Sequence, residues 1–407
     1  MFRRIFKDKK TRKACHIYRM LERSEKGRHL SFHTPGHKQK GFDITELSYS
    51  DNLACPRGCI AQAERDIAQI TGATKSFILT DGSTCGVFSM LQAAKTLGAQ
   101  NVYLLGEAHS SFYNACAALS LTPLPVADGA DAVFCTSPDY YGNLLDLEAV
   151  KRAHADKLLL VDGAHGGHLH FDKTRYAGAY ADFWVDGVHK SLPALTQGAA
   201  VHANGEKQAD ALTAAVQLFR TTSPSYPIMA SVEYAFKYPR NQRLEERVKA
   251  FAERHERILL RGDWTKLCVL FGRAAFEAEN YFERQGIFPE FCDGNELCFY
   301  LSPATKAREL ARLQGAIENA FVLYPLEETA TAQRDPAPLV FLDADGEWVV
   351  LEKSAGRVCA AKCGIFPPCL PLLKEGEKIT QEKIELLEKA NNVFGLNDGK
   401  IFVFKEN

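Results

Sequence analysis

The chain has 407 residues, of which 46% are hydrophobic and 24% charged, too long for one core and ordinary for a globular protein of two or three domains. Its 49 basic and 50 acidic residues leave a net charge of −1. No global field favours nucleic acid or an anionic membrane, and no apolar run approaches the ~18 residues that span a bilayer.

Three zones follow in chain order. Residues 1–60 form an N-terminal segment. It opens on Met1-Phe2-Arg3-Arg4-Ile5-Phe6-Lys7-Asp8-Lys9-Lys10, a basic stretch without a following apolar run. That reads as a solvated turn or arm, not a secretory signal. A short basic helix is expected at residues 16–24, then irregular chain containing Pro35, Gly36, Gly41, Pro56 and Gly58. Residues 61–227 alternate helical spacing, at 61–71 and 87–97, with short apolar runs. The runs at 76–79, 102–105, 132–135, 158–161, 183–185 and 199–201 are strand-like. Such alternation predicts an α/β fold, a mostly parallel sheet covered by helices.

The cluster Ser223-Pro224-Ser225-Tyr226-Pro227 predicts a turn. Residues 228–407 read as a smaller α+β C-terminal domain. A long charged helix is expected over 232–260, then apolar runs at 267–271, 297–301, 320–323, 339–342 and 348–351, and a helix over 381–391. There are twelve cysteines. The pairs Cys55/Cys59 and Cys359/Cys363 lack the tight gap of a zinc knuckle, so no metal site is expected. Reduced thiols in a cytoplasm are the plain reading.

Chemistry concentrates after the strand-like runs. Asp162 ends the run Leu158-Leu159-Leu160-Val161, and Lys190 follows Phe183-Trp184-Val185 within Asp186-Gly187-Val188-His189-Lys190-Ser191. A lysine able to form a Schiff base and a carboxylate able to pair with a pyridinium nitrogen are what pyridoxal phosphate (PLP) requires. Asp81-Gly82-Ser83-Thr84 follows a strand and opens a helix, a place for a phosphate on hydroxyls and N–H groups. His109 follows another strand, where an imidazole can stack on the cofactor ring. His165 lies in a loop beside Asp162 and is a pocket candidate; His168 is not. Read alone, each of these residues also fits a structural role, as a surface lysine, a cap or a core histidine.

Together the pieces resemble the fold-type-I PLP-dependent decarboxylases of ornithine, lysine and arginine. Phe32-His33-Thr34-Pro35-Gly36-His37-Lys38 resembles the family's FHxPGHK signature, and Phe42-Asp43-Ile44-Thr45-Glu46-Leu47 its DxTEL segment. Thr136-Ser137-Pro138-Asp139-Tyr140-Tyr141-Gly142 is similar to its TxPTYxG loop. Lys190-Ser191-Leu192-Pro193-Ala194-Leu195-Thr196-Gln197 and Thr222-Ser223-Pro224-Ser225-Tyr226 also match. Phe366-Pro367-Pro368-Cys369-Leu370-Pro371-Leu372-Leu373, with Gly376-Glu377, resembles its YPPGIPLL…GE motif. The likeness covers residues of about 30–380.

The resemblance implies a PLP-binding large domain of the fold-type-I transferase type over residues 61–227 and decarboxylation of a basic amino acid. Lys190 would hold the cofactor aldehyde and Asp162 its ring nitrogen. His109 would stack on one ring face and Ala164 on the other, with His165 near the substrate. Ser83, Thr84 and His189 would hold the phosphate, and the Ser223 region would reach the phosphate of a partner subunit. A homodimer or higher oligomer is implied, as is a compact form without the wing domain of the large inducible enzymes. Departures are Asp81 for asparagine, Ser110 for lysine, Gly163 for glutamate, Gly187 for serine and Cys369 for glycine; the stretch between Lys38 and Phe42 is also short. Asp81, Glu107, Asp139 and Asp186 all remain open as partners for a distal cation. Other PLP chemistry, as an aminotransferase or lyase, and a regulatory homologue without turnover are the alternative readings.

Overall fold

Local capping and apolar spacing start the chain. In the computed structural model, which describes residues 6–27, 30–38, 41–326, 346–365, 370–390 and 393–405, helix α1 (Lys9–Ala14) is capped by the Asp8 carboxylate, which accepts the Thr11 N–H at 2.7 Å. Helix α2 (His16–Lys26) buries Ile17, Tyr18, Met20 and Leu21 along one side. Helix α3 (Cys59–Thr71) stops at Gly72, whose φ of +82° suits a residue without a side chain.

From there the expected alternation holds: β1 (Lys75–Leu79), α4 (Gly82–Thr96), β2 (Asn101–Leu105), α5 (Ser110–Leu119), β3 (Thr122–Leu124), β4 (Ala132–Thr136), α6 (Leu147–Ala153), β5 (Leu158–Asp162), β6 (Phe183–Asp186), α7 (Val188–Ser191), β7 (Ala199–Ala203) and α8 (Glu206–Phe219). These strands form a seven-stranded sheet in the order β1-β7-β6-β5-β4-β2-β3. Neighbours are parallel except around β7, which runs against both β1 and β6. The ends of β1, β2, β4, β5 and β6 and the start of β7 therefore share one edge, where ligands gather in open α/β sheets.

Helices α9 (Tyr226–Phe236) and α10 (Gln242–Ala252) replace the single helix expected over 232–260. Pro239 lies between them and cannot donate to a helical ladder. The Asn241 side chain then accepts the Leu244 N–H at 3.2 Å and starts α10. The chain divides into two compact units, Met1–Glu245 with Leu301–Ala304, and Glu246–Tyr300 with Thr305–Asn407. Helix α9 falls in the first: its Tyr226, Met229, Val232 and Phe236 share a core with Tyr18, Ile67 and Ile78. The expected break after residue 227 thus lies inside this core.

The second unit holds β8 (Ile258–Leu259), β9 (Lys266–Leu270), α11 (Ala275–Arg284), β10 (Phe291–Cys292), β11 (Glu296–Tyr300) and α12 (Ala307–Leu323). The apolar run at 320–323 is the last turn of α12. Then come β12 (Gly346–Val350), β13 (Cys363–Ile365), β14 (Leu370–Leu373), α13 (Gln381–Lys389), β15 (Val393–Phe394), β16 (Leu396–Asn397) and β17 (Lys400–Phe404). Its sheets are antiparallel throughout. The run at 339–342, residues 366–369 of the C-terminal motif, and Met1 to Ile5 of the basic start lie outside the described residues.

One buried side chain gives the first unit a pH dependence. His170 is 7% exposed, its Nδ1 donates to the Gly167 carbonyl at 2.7 Å, and its ring centre lies 4.0 Å from that of Phe171. Burial pushes its pKa down from 6.5 to about 4. The unfolded chain takes up this proton near the ordinary value and the folded chain resists it. Its contribution is therefore full above 6.5 and is lost as pH falls toward about 4. Between about pH 7 and about pH 5 the loss is about 2 kcal/mol. Urea unfolding at both values should show a smaller loss for His170→Gln; equal losses would assign the acid sensitivity elsewhere.

Candidate active site

Lys190 sits in α7, directly after β6, and its Nζ lies 3.2 Å from His165 Nε2. The His165 ring packs edge-on against Tyr140, with centres 4.8 Å apart. An amine and an imidazole at this distance can pass one proton between them. Asp162 is the last residue of β5 and is 3% exposed. Thr136 of β4 and Val185 of β6 flank it in register, and its Oδ1 accepts the Ala164 N–H at 3.0 Å.

Gly163 and Gly187 are a matched pair. A β-carbon at Gly187 would stand 2.5 Å from the Ala164 carbonyl oxygen, and one at Gly163 would stand 3.0 Å from the Val185 carbonyl oxygen. The turn after β5 presses against the end of β6, so a side chain at Gly187 would displace backbone and one at Gly163 would crowd it. A serine at 187 would force the turn carrying Ala164, itself 5% exposed, to shift.

The phosphate-like cradle lies at the same edge. Gly82 adopts φ +74°, and its N–H donates to the Gln197 carbonyl at 2.9 Å. Asp81 occupies the N-cap of α4 without a side-chain cap bond, so the first-turn N–H groups keep their capacity for an anion. Ser83 is half-buried and Thr84 exposed there. The Asp81 carboxylate instead accepts the Thr221 N–H at 3.4 Å, and Ser223 Oγ lies 3.3 Å from Thr221 Oγ1. The turn carrying Ser223 thus stands beside the α4 terminus of its own chain. The Gly198 carbonyl accepts both the main-chain N–H of His189, at 3.1 Å, and its Nδ1–H, at 3.0 Å. Burial pushes the His189 pKa down, so the ring favours its neutral form until an anion meets Nε2.

Gln197 and Gly198, at the start of β7, therefore tie the α4 terminus to the lysine-bearing helix. Sequence reading did not place them in the site. The signal was a φ of +73° at Gln197, which the residue type does not advertise. His109 is the N-cap of α5: its Nδ1 accepts the Ser111 N–H at 3.1 Å, which leaves Nε2 to carry the proton of the neutral ring.

The acids separate by position. Asp139 is committed to its own turn, accepting from Tyr141, Asn143 and the Asn143 side chain. Asp186 is 0% exposed and turns to the opposite face of the sheet from Val185, toward Tyr176 and His202. Asp81 flanks the anion cradle. Glu107 is exposed in the loop after β2.

The residues fit PLP. Lys190 would take the aldehyde, Asp162 the ring nitrogen, His109 and Ala164 the ring faces, and Ser83, Thr84 and His189 the phosphate. A buried carboxylate that accepts the Ala164 N–H, an α4 terminus without a side-chain cap, and an amine beside an imidazole are the chemistry that cofactor needs. The Asp81 charge is the feature that opposes it.

The family description "Orn/Lys/Arg decarboxylase, major domain" matches residues 104–261. The uncharacterized protein YaaO of Bacillus subtilis is 27% identical over 92% of this chain and 93% of its own length. An arginine decarboxylase of the same organism is 25% identical, with 92% and 93% covered. The solved E. coli constitutive lysine decarboxylase superposes with a TM-score of 0.71 at 19% identity, over 96% of this chain and 82% of that one. Serine palmitoyltransferase from S. paucimobilis, solved with a bound PLP–myriocin adduct, gives 0.52 at 16% identity over 65% of this chain and 76% of that one. The fold is that of the fold-type-I PLP enzymes. No helix among the described residues is long and apolar enough to cross a membrane. Ordered motifs, a matched segment over residues 104–261 and a shared fold converge, and the chain is similar to the Orn/Lys/Arg decarboxylases.

Proposed function

We propose that the protein is a PLP-dependent decarboxylase of a basic amino acid (lysine, arginine or ornithine), working as a cytoplasmic homodimer. The carrying observation is that Lys190, Asp162 and the α4 N-terminus meet at one edge of the sheet. When bound, PLP supplies an electron sink for the pair left on the α-carbon as carbon dioxide departs. The rest is the work of this chain. Asp162, buried at the strand end, keeps a proton on the ring nitrogen. Lys190, beside His165, would hold the cofactor aldehyde and is the amine placed to return a proton to the substrate α-carbon. Ala164 and His109 enclose the ring and exclude water. We take exposed Glu107 as the partner of the distal ammonium or guanidinium.

The direct test is to incubate the protein and PLP with lysine, arginine and ornithine separately and to identify products by mass spectrometry. One of cadaverine, agmatine or putrescine should appear. No amine from any of the three would overturn the reading and leave a different PLP reaction or a regulatory homologue.

Asp81 gives an independent handle. Its carboxylate places a like charge beside the proposed phosphate site. Asp81→Asn keeps the side chain's shape and removes that charge, so PLP should bind roughly fivefold more tightly. Fluorescence titration of the apoprotein reads this. An unchanged Kd would place the phosphate away from α4.

A further inference from the structure

The outer edge of the main sheet carries a second polar site. Among the described residues β1 pairs with β7 alone, and its other side opens into a cleft of about 300 Å³ between α3 and α8. Near the end of β1 the edge is closed by side chains. Glu64 Oε1 accepts the Ile78 N–H at 3.1 Å and pairs with Arg220 at 3.3 Å, and Arg220 also donates to the Ile78 carbonyl at 3.4 Å. Bare strand edges are commonly blunted in this way. Strand alternation turns the main-chain N–H and C=O of Ser76 to the same side as those of Ile78. Ser76 lines the cleft, and among the described residues no side chain closes the edge there as Glu64 and Arg220 do at Ile78.

The charges of the cleft do not balance. Arg65, Lys75 and Arg220 line it against one acid, Glu64, and that acid is already committed to Arg220. Among the described residues neither Arg65 nor Lys75 forms an ion pair. The Lys75 ammonium donates to Thr213 Oγ1 at 2.8 Å and lies 5.3 Å above the Phe77 ring, which Arg220 also approaches at 5.9 Å. A half-buried cation over an aromatic floor, beside an outward main-chain N–H, is a receptor for negative charge.

We propose that this cleft binds a small organic anion, a carboxylate or phosphate monoester. Its charge meets Lys75 and Arg65, and its apolar part lies on Phe77 and Ala68. The site is separate from the α4 cradle, since Lys75 begins the strand whose other end leads to Asp81.

Calorimetric titration of the full chain with phenyl phosphate and, separately, benzoate tests this; the tighter probe names the headgroup. Two variants go with it. Arg65→Gln/Lys75→Gln removes the charges, and Ala68→Phe fills the space without touching one. Saturable binding that weakens about tenfold or more in both variants, and that added PLP does not displace, is the expected result. No saturable heat with either probe overturns the proposal. So does binding unchanged in both variants. Displacement by PLP overturns it too, because it would put the anion at α4; failure of the decarboxylase reading would leave all these outcomes as they are.

Discussion

Lys190→Ala should lose the visible absorbance of lysine-bound PLP and amine production together. Turnover should fall by roughly 10²–10⁴-fold for the lost proton transfer alone, and further where the covalent anchor is lost as well. The expectation rests on placement. α7 is a single turn held at both ends, by the Gly187 carbonyl accepting the Lys190 N–H at 2.8 Å and by the Gly198 contacts of His189. No neighbouring lysine can move into that position, because the segment on either side is fixed by β6 and β7. The fold should survive, since the Lys190 side chain is only partly buried. His165→Gln is the companion. It should keep the colour and slow the reaction, since the ring holds a proton near Nζ and does not anchor the cofactor. Colour and turnover that both persist in Lys190→Ala would sink the assignment and the mechanism with it.

The parts of this protein that follow local rules could be read from its sequence. The apolar runs at β4, β5 and β6 are short, buried on both faces and interrupted by helical spacing, which is the pattern of a parallel sheet. Asp162 and Lys190 were legible because each ends or follows such a run. What stayed hidden depends on partners far along the chain. Gly163 and Gly187 looked like two separate losses relative to the family pattern, yet they are one close approach between two turns. Gln197 enters the site through its carbonyl, and a carbonyl leaves no mark on residue type. The helix expected over 232–260 is broken at Pro239, which cannot donate to a helical ladder. Asp186 was open as an acid for substrate because the approach of His202, two residues beyond its register partner Ala200, could not be known before the antiparallel β7 was placed.

That contact sets the second large effect: Asp186→Ala should destabilise the first unit by about 2–5 kcal/mol, the cost of leaving a buried phenol and a buried imidazole without the carboxylate they face. Asp186 Oδ2 accepts from the Tyr176 hydroxyl and lies 3.2 Å from His202 Nε2, with the Asp186 and His202 side chains at 1% exposure or less. The network continues outward on both sides. His202 Nδ1 meets Ser76 Oγ at 2.7 Å, and Trp184 Nε1 donates to the Tyr176 oxygen at 2.9 Å. Burial and the neighbouring carboxylate push the Tyr176 pKa well above its ordinary value, so the phenol remains a donor. Serine, histidine and aspartate in this order suggest a hydrolytic triad, but Ser76 is 2% exposed and His202 0%, which closes the group to any substrate. Its work is support. Asp186 Oδ1 lies 3.3 Å from where a β-carbon of Gly163 would stand, directly beneath the turn that carries Ala164 and His165. Alanine would leave a buried phenol and imidazole facing an empty space below that turn. Asparagine keeps the shape and one acceptor, so Asp186→Asn should lose less than half as much. Urea unfolding of the three proteins separates these cases, and a loss below about 1 kcal/mol for Asp186→Ala would show that water or a shifted neighbour satisfies the site instead. PLP affinity measured on the same variants links support to site: if the floor under Gly163 seats the turn, affinity should fall in the same order as stability.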